Sequence, residues 1–349
     1  MGAVRTFLAI AVVLGHSTAW GGGAGHFLGL RPLPPYFAVQ SFFLISGFYM
    51  ELIRSKYQSE PVLTFYTNRY TRLIVSYWIV AAVSVALALS QLDNPYLVFL
   101  RHPGEGAARL FLAFTNFFII GQDTVQLFGN NATESLIIPQ AWSLGTELWF
   151  YMLVPVFWRT PTKILIAIVG VSALIRIALL LSPLPFFPWQ QRFFPAELMF
   201  FVLGMLACRW SRDIRLGQVM CAISLAILLF FVGCVGWLQP EHRALNSFFL
   251  AVILFILVPG AFQLTRNWKA DRLIGEFSFP IYLWHIGLQY FIEPANRLWG
   301  GGLLLLLCLL ASVPLVFWVE VPMERWRSSR LNRGSQVLAP PHHLIRSPP

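Results

Sequence analysis

Long apolar runs of bilayer-crossing length, separated by short polar or basic connections, dominate this chain. A helix needs about 20 apolar residues to span a bilayer. Ten segments fit that pattern: 4–20, 36–53, 73–90, 142–158, 163–181, 193–209, 217–238, 246–264, 277–293 and 302–320. An eleventh apolar stretch, AARLFLAFTNFFIIG at 107–121, is shorter and follows charged residues, so it reads as a re-entrant or interfacial helix. The pattern predicts an all-α polytopic membrane protein of about ten transmembrane helices.

Composition agrees. Only 11% of the 349 residues are charged and 57% are hydrophobic, against about 25% charged in a soluble domain. Mean hydropathy is +0.66. The net charge of +10 sharpens the topology. With the N-terminus in the cytoplasm and ten spans, 18 Lys and Arg fall inside and 6 outside, alternating loop by loop, with Arg176 within the membrane. That is the positive-inside bias, so both termini are expected in the cytoplasm. An eleventh span would break the alternation after residue 122. The positive charge then needs no nucleic-acid partner.

Residues 1–325 read as one transmembrane domain, and 326–349 as a basic, Pro-rich, disordered cytoplasmic tail. No basic region precedes the first apolar run and no A-x-A site follows it, so it reads as a retained span rather than a signal peptide. No appended soluble enzymatic domain is expected. Cys208, Cys221, Cys234 and Cys308 lack metal-ligand spacing; they read as packing residues, and no metal is expected. Connection 91–141 is the longest outer loop, and Asn131-Ala132-Thr133 in it is a formal sequon. No internal repeat is visible, which weighs against a transporter.

Ionisable groups in apolar helices are costly and point to function. Arg5 and His16 are eleven residues apart, close to a whole number of turns, hence on one face and about 16 Å apart along the axis. Arg69 and Arg72 share a helix face at the inner surface. They are either positive-inside anchors or an anion site of two guanidinium forks. Glu147 stands near the outer end of its span with Tyr151 at i+4. At a depth similar to that of His16, Glu147 is expected to pair with it and orient its ring. Trp142 sits at the outer rim. Arg192 and Glu197 suggest an ion pair at the same level, and Tyr282 and His285 lie one turn apart in the ninth span. Each of these also has a structural reading as a packing or anchoring residue. Ser46-Gly47 in the second span permits close helix approach, and Glu51 is suited to pairing with Arg54 or Lys56.

No single motif is specific. Their order is: Arg5-x10-His16, FFLISGF, Arg69-x-x-Arg72 with SYW, AWSLGTELWFY, FSFPIYLWH and VEVP. From about residue 4 to 325 this set resembles the membrane-bound acyltransferase 3 family, which O-acylates sugars and other hydroxyl compounds. The resemblance implies an O-acyltransferase, acyl-CoA as the donor substrate with no permanently bound cofactor, importance for Arg5 and His16, and a ten-helix core. One departure is Gln40, where the family often carries an acidic residue. On this reading His16 is the general base or a transient acyl carrier, and Glu147 supports it. Arg5, Arg69 and Arg72 bind the donor's phosphates. Trp142, Tyr151, Arg192, Glu197, Tyr282 and His285 are candidate substrate contacts. The expected setting is the bacterial inner membrane, with membrane lipid, a glycan or other hydroxyl acceptor and polysaccharide-biosynthesis proteins as partners. Acetyl and succinyl both suit the acyl group, and exopolysaccharide and lipopolysaccharide both suit the acceptor. The rival reading is a transporter or flippase of a lipid-linked sugar.

Overall fold

The computed structural model describes residues 1–20, 33–90, 106–125, 136–184, 189, 191–211, 243–298 and 301–337. Within them the structure is helical, with no strand among the described residues. The helices are α1 (Gly2–Trp20), α2 (Pro35–Leu52), α3 (Val62–Ser90), α4 (Gly106–Phe118), α5 (Trp142–Arg159), α6 (Thr162–Leu181), α7 (Phe194–Trp210), α8 (Arg243–Thr265), α9 (Lys269–Glu276), α10 (Ser278–Leu298), α11 (Gly302–Leu315) and α12 (Val321–Val337). Expected span 217–238, much of connection 91–141 including the sequon, and the tail after 337 lie outside the described residues.

Prolines set several boundaries. Pro35 and Pro195 occupy the first turns of α2 and α7, where a missing N–H costs nothing. Pro314 sits inside α11, and a π-helical turn at Val316–Glu320 follows it before α12 continues. Such a bulge absorbs a break in the hydrogen-bond ladder. Residues 326–337, expected to be part of a disordered tail, are therefore helical in α12. Glu324 and Arg327 reinforce this helix with an i,i+3 pair at 3.0 Å.

Four helical segments among the described residues are long and apolar enough to cross a membrane: Val62–Leu87, Thr162–Leu181, Asn246–Thr265 and Gly302–Leu331. The surface is apolar in the manner of a protein solvated by lipid. Phe117, Val156, Ile166, Leu174 and Trp318 are exposed, while Asn68, Gln122, Thr146, Arg176 and Glu197 are buried. Helix α4 has 13 residues, about 20 Å, less than the ~30 Å hydrocarbon core. The chain then turns back, and Ile137 N–H bonds Asn116 Oδ1 at 2.7 Å.

In lipid, helices associate through close contact rather than water exclusion. Glycines supply that contact where α2 meets α7. A Cβ on Gly47 would lie 1.8 Å from the Phe201 carbonyl oxygen, and one on Gly204 would lie 1.9 Å from that of Leu44. Phe43, Phe201 and Phe150 stack across this junction at centroid distances of 4.5 and 4.4 Å. The start of α1 is clasped by the amphipathic helix α9. Asp271 accepts from the N–H groups of Gly2 and Ala3, each at 2.8 Å. Burial opposes ionisation of this carboxyl, but the N–H bonds from Ala3 and Gly2 prevail among the groups that hold it down at about 2.

Candidate active site

Helices α1, α2, α3, α5 and α10 surround a cavity of about 750 Å³, its open mouth included. Arg5 and Arg72 line one part of it. Ser46, Tyr49, Glu147 and Tyr151 line its flank, and Ser143 and Tyr282 line another part. Phe42, Phe43, Leu144 and Phe279 supply apolar wall. Neither Arg5 nor Arg72 makes a salt bridge or side-chain hydrogen bond among the described residues, although both line this cavity. Glu147 Oε1 accepts from Ser46 Oγ at 2.6 Å and from Tyr151 OH at 2.5 Å. The i+4 spacing of Glu147 and Tyr151 places both on the cavity face of α5.

Beyond Tyr282 lies a pair of imidazoles. The ring of Tyr282 packs against His285 at 5.4 Å, and His285 stacks on His16 at 5.0 Å. His285 Nδ1 is 2.6 Å from the Tyr282 carbonyl oxygen. A carbonyl only accepts, so Nδ1 carries the proton. In the neutral ring, Nε2 is then a lone pair. That Nε2 lies 3.2 Å from His16 Nδ1, which also lies 3.1 Å from the Val12 carbonyl oxygen. Both partners accept, so His16 carries its proton on Nδ1. Its Nε2 is left as the basic lone pair, with no hydrogen bond among the described residues. Gln140 braces this region by donating to the Leu283 carbonyl at 2.7 Å. Tyr282 OH donates to Gln140 O at 2.9 Å and lies 2.8 Å from Ser143 Oγ.

The structure thus brings together Arg5, Arg72, Glu147, Tyr151 and Tyr282 around one cavity, with His285 and His16 beside it. Other expected pairings differ. Glu147 is bonded to Ser46 and Tyr151, not to His16. The partner of His16 is His285. Glu197 pairs with Arg176 at 3.0 Å rather than with Arg192, and Arg176 Nη2 also reaches Ser247 Oγ at 3.1 Å. Both members are buried inside the bundle. The reason is azimuth: α6 turns Leu165, Ser172 and Arg176 inward and leaves most of its apolar residues outside. Arg192 instead lies over the Trp142 ring at 4.9 Å; burial lowers its pKa to about 10. Arg69 departs from Arg72 and lines a separate cavity with Tyr66, Tyr70, Trp149 and Tyr151. Glu51 binds Arg209 at 3.0 Å as well as the expected Arg54 at 3.4 Å.

Gln140 and Asp123 carried no sequence signal, and Ser46 was legible only as a small packing residue beside Gly47. Arg176 did carry one, as the cation in the interior of its span, but its partner was not legible. Among the described residues, no cluster of His, Cys, Asp and Glu could hold a metal ion.

The chain has relatives among known proteins. A family model described as an acyltransferase domain matches residues 1–321. The chain is 26% identical over 320 residues to the O-acetyltransferase OatA of Staphylococcus aureus (strain NCTC 8325 / PS 47), covering 83% of this chain and 50% of that protein. It is 24% identical over 262 residues to the exopolysaccharide production protein ExoZ of Rhizobium meliloti (strain 1021), covering 71% and 74%. It is 26% identical over 321 residues to the peptidoglycan O-acetyltransferase OatA of Listeria monocytogenes serovar 1/2a, covering 81% and 48%. The chain therefore spans about half the length of the OatA proteins it matches. No solved structure matches it.

Proposed function

Because the chain belongs to the acyltransferase 3 family, we propose that it is a multi-pass plasma-membrane O-acyltransferase. It moves an acetyl or succinyl group from acyl-CoA to a glycan hydroxyl. The observation that carries this reading is the cavity itself. Two guanidinium groups without salt-bridge partners among the described residues line one part of it, and an oriented imidazole stands beyond Tyr282. Guanidinium forks suit phosphate oxygens, so Arg5 and Arg72 hold the phosphates of the donor, with Arg69 in the neighbouring cavity as a further contact. The rise of about 16 Å from residue 5 to 16 along α1 suits the extended arm that links those phosphates to the thioester. The relatives, O-acetyltransferases and an exopolysaccharide production protein, favour acetyl and a polysaccharide acceptor.

The chemistry follows from the tautomers. His16 Nε2 takes the proton of the acceptor hydroxyl as its oxygen attacks the thioester carbonyl carbon. The tetrahedral oxyanion collapses, the C–S bond breaks, and the departing thiolate takes the proton from the imidazolium. The products are an ester and free thiol. His285 Nε2 accepts from His16 Nδ1–H throughout, and stabilises the positive charge that forms on His16, much as a carboxylate does in a hydrolase triad. Glu147 acts deeper in the cavity, where its charge faces the donor arm between the arginines and Tyr282.

The test is transfer of radiolabelled acetyl from acetyl-CoA to isolated surface glycan by the full chain in membranes. His16→Ala abolishes transfer while the protein remains inserted. Undiminished transfer by that variant overturns the assignment of the base. Glycan crossing the membrane with no acyl chemistry would establish the transporter reading instead.

A further inference from the structure

A second cavity, with about 500 Å³ of empty space counting its open mouth, lies at the end of the bundle opposite Arg209 and Glu51. The described residues that define its chemistry are Asp123, Trp149, Trp189, Arg192, Phe193 and Phe194. A chain of side chains links it to the central cavity. Arg192 lies 4.9 Å over Trp142, and Trp142 meets Phe43, a central-cavity residue, edge-on at 6.5 Å.

The carboxylate is built into place. Asp123 is 4% exposed. It sits on the turn after α4, where Ile119 has φ 68° and Gly121 φ 85°. A β-branched residue in the left-handed region is strained by ~1–3 kcal/mol, and such strain collects at functional sites. The turn is held by Gln122, whose Nε2 donates to Tyr77 OH at 2.9 Å and to the Thr115 carbonyl at 3.0 Å. Gly145 leaves room on α5, since a Cβ there would come within 3.0 Å of Asp123 Oδ1. Trp149 Nε1 donates to that same oxygen at 3.3 Å, fixing the indole plane. The other carboxyl oxygen, Oδ2, has no side-chain donor among the described residues. A hexopyranose has an apolar C–H face and a rim of hydroxyls. Two indoles, one carboxylate acceptor and one guanidinium donor match it: aromatic faces take the C–H surface, and charged groups take the hydroxyls. Apolar ligands would not call for Asp123, and a phosphate or sulfate would be repelled by it.

We propose that this cavity is the acceptor subsite. It binds one pyranose ring of the glycan against Trp149 and Trp189, with a ring hydroxyl donating to Asp123 and Arg192 donating to a sugar oxygen. The inference rests on the O-acyltransferase reading for its purpose, but its binding test is independent of turnover.

The full chain in lipid nanodiscs is assayed by equilibrium dialysis with two radiolabelled probes, the β-1,4-linked glucose tetramer and the β-1,4-linked N-acetylglucosamine tetramer. The wild type binds at least one of them. Trp189→Ala and Asp123→Asn each weaken binding at least tenfold, and Trp189→Phe restores most of it. In transfer assays the loss appears in the KM for sugar rather than in the KM for acetyl-CoA. Binding of neither tetramer by the wild type, or equal affinity in wild type, Trp189→Ala and Asp123→Asn, overturns the subsite. Acetyl-CoA consumption, measured alongside, separates the two claims. Normal consumption with unaltered sugar binding leaves the enzyme reading standing without this site. Sugar binding that responds to the variants, with no thioester ever consumed, leaves the site standing without the enzyme reading.

Discussion

His285 Nε2 lies 3.2 Å from His16 Nδ1, and the Tyr282 carbonyl fixes the tautomer that makes this contact possible. The two imidazoles come from helices 269 positions apart in sequence. Together they set which nitrogen of His16 keeps its lone pair.

On the proposed mechanism, His285 positions His16. His285→Ala is expected to lower kcat by roughly 10²-fold, at the lower end of what a general base supplies, with little change in either KM. His285→Gln, whose amide oxygen can accept from Nδ1–H, recovers part of the loss. The check is the steady-state rate across pH, in which the acidic limb moves in the alanine variant. Equal loss in both variants with an unmoved limb would assign His285 to packing alone.

The separation of the arginines into two cavities gives a graded expectation. Arg72→Ala and Arg5→Ala each raise the KM for acetyl-CoA by about 10–100-fold, the ~1.5–3 kcal/mol of a charge-assisted hydrogen bond. Arg69→Ala has a smaller effect. Titrations with acetyl-CoA and with acetyl-pantetheine, which lacks the nucleotide phosphates, distinguish the roles. Arg72→Ala matters only for the phosphorylated donor. A deficit that follows protein level instead of donor identity would make Arg72 a membrane anchor.

Glu197 and Arg176 form a buried pair at 3.0 Å. Removing one partner strands the other charge, at a cost of about 3–5 kcal/mol. Glu197→Ala should therefore unfold at markedly lower temperature than the wild type, or fail to accumulate. A double replacement, Glu197→Leu with Arg176→Met, should restore much of the Tm. Thermal unfolding in detergent, followed by tryptophan fluorescence, reads both.

Asp123 lies outside the expected spans, and burial lifts its carboxyl from 3.8 to about 6. The folded state is thus favoured while the group is protonated. This contribution is full below the unfolded value near 4 and is lost as pH rises through about 6. Asp123→Asn removes the titration. Relative to wild type, the variant should gain on the order of 3 kcal/mol above pH 7 and nothing at pH 4. A Tm difference that does not change with pH would contradict this. Stability gained at the expense of sugar binding would be the trade-off expected of a functional site.

Much of the fold was legible because hydropathy is a local property. The expected spans within the described residues coincide with helices to within a few residues, apart from α3, which begins at Val62 rather than 73. The polar sequence TFYTNRYTR lowers the local hydropathy of that first part: its buried Asn68 donates through Nδ2 to the hydroxyl of Tyr57, outside this stretch, at 3.2 Å, a contact no window average can see. The extension of α12 was masked by composition, since the basic, Pro-rich stretch after residue 325 reads as a disordered tail.

By itself the sequence determined the helices, the membrane setting and the presence of inward cations, carboxylates and imidazoles, because each follows from residue type and spacing along one element. Tertiary structure alone decided which of those groups meet: His16 with His285, Glu147 with Ser46 and Tyr151, Glu197 with Arg176. The physical reason is rotational. A difference of three positions turns a side chain about 60° around its helix, as between Arg69 and Arg72, and which neighbour it then faces depends on how the helices pack.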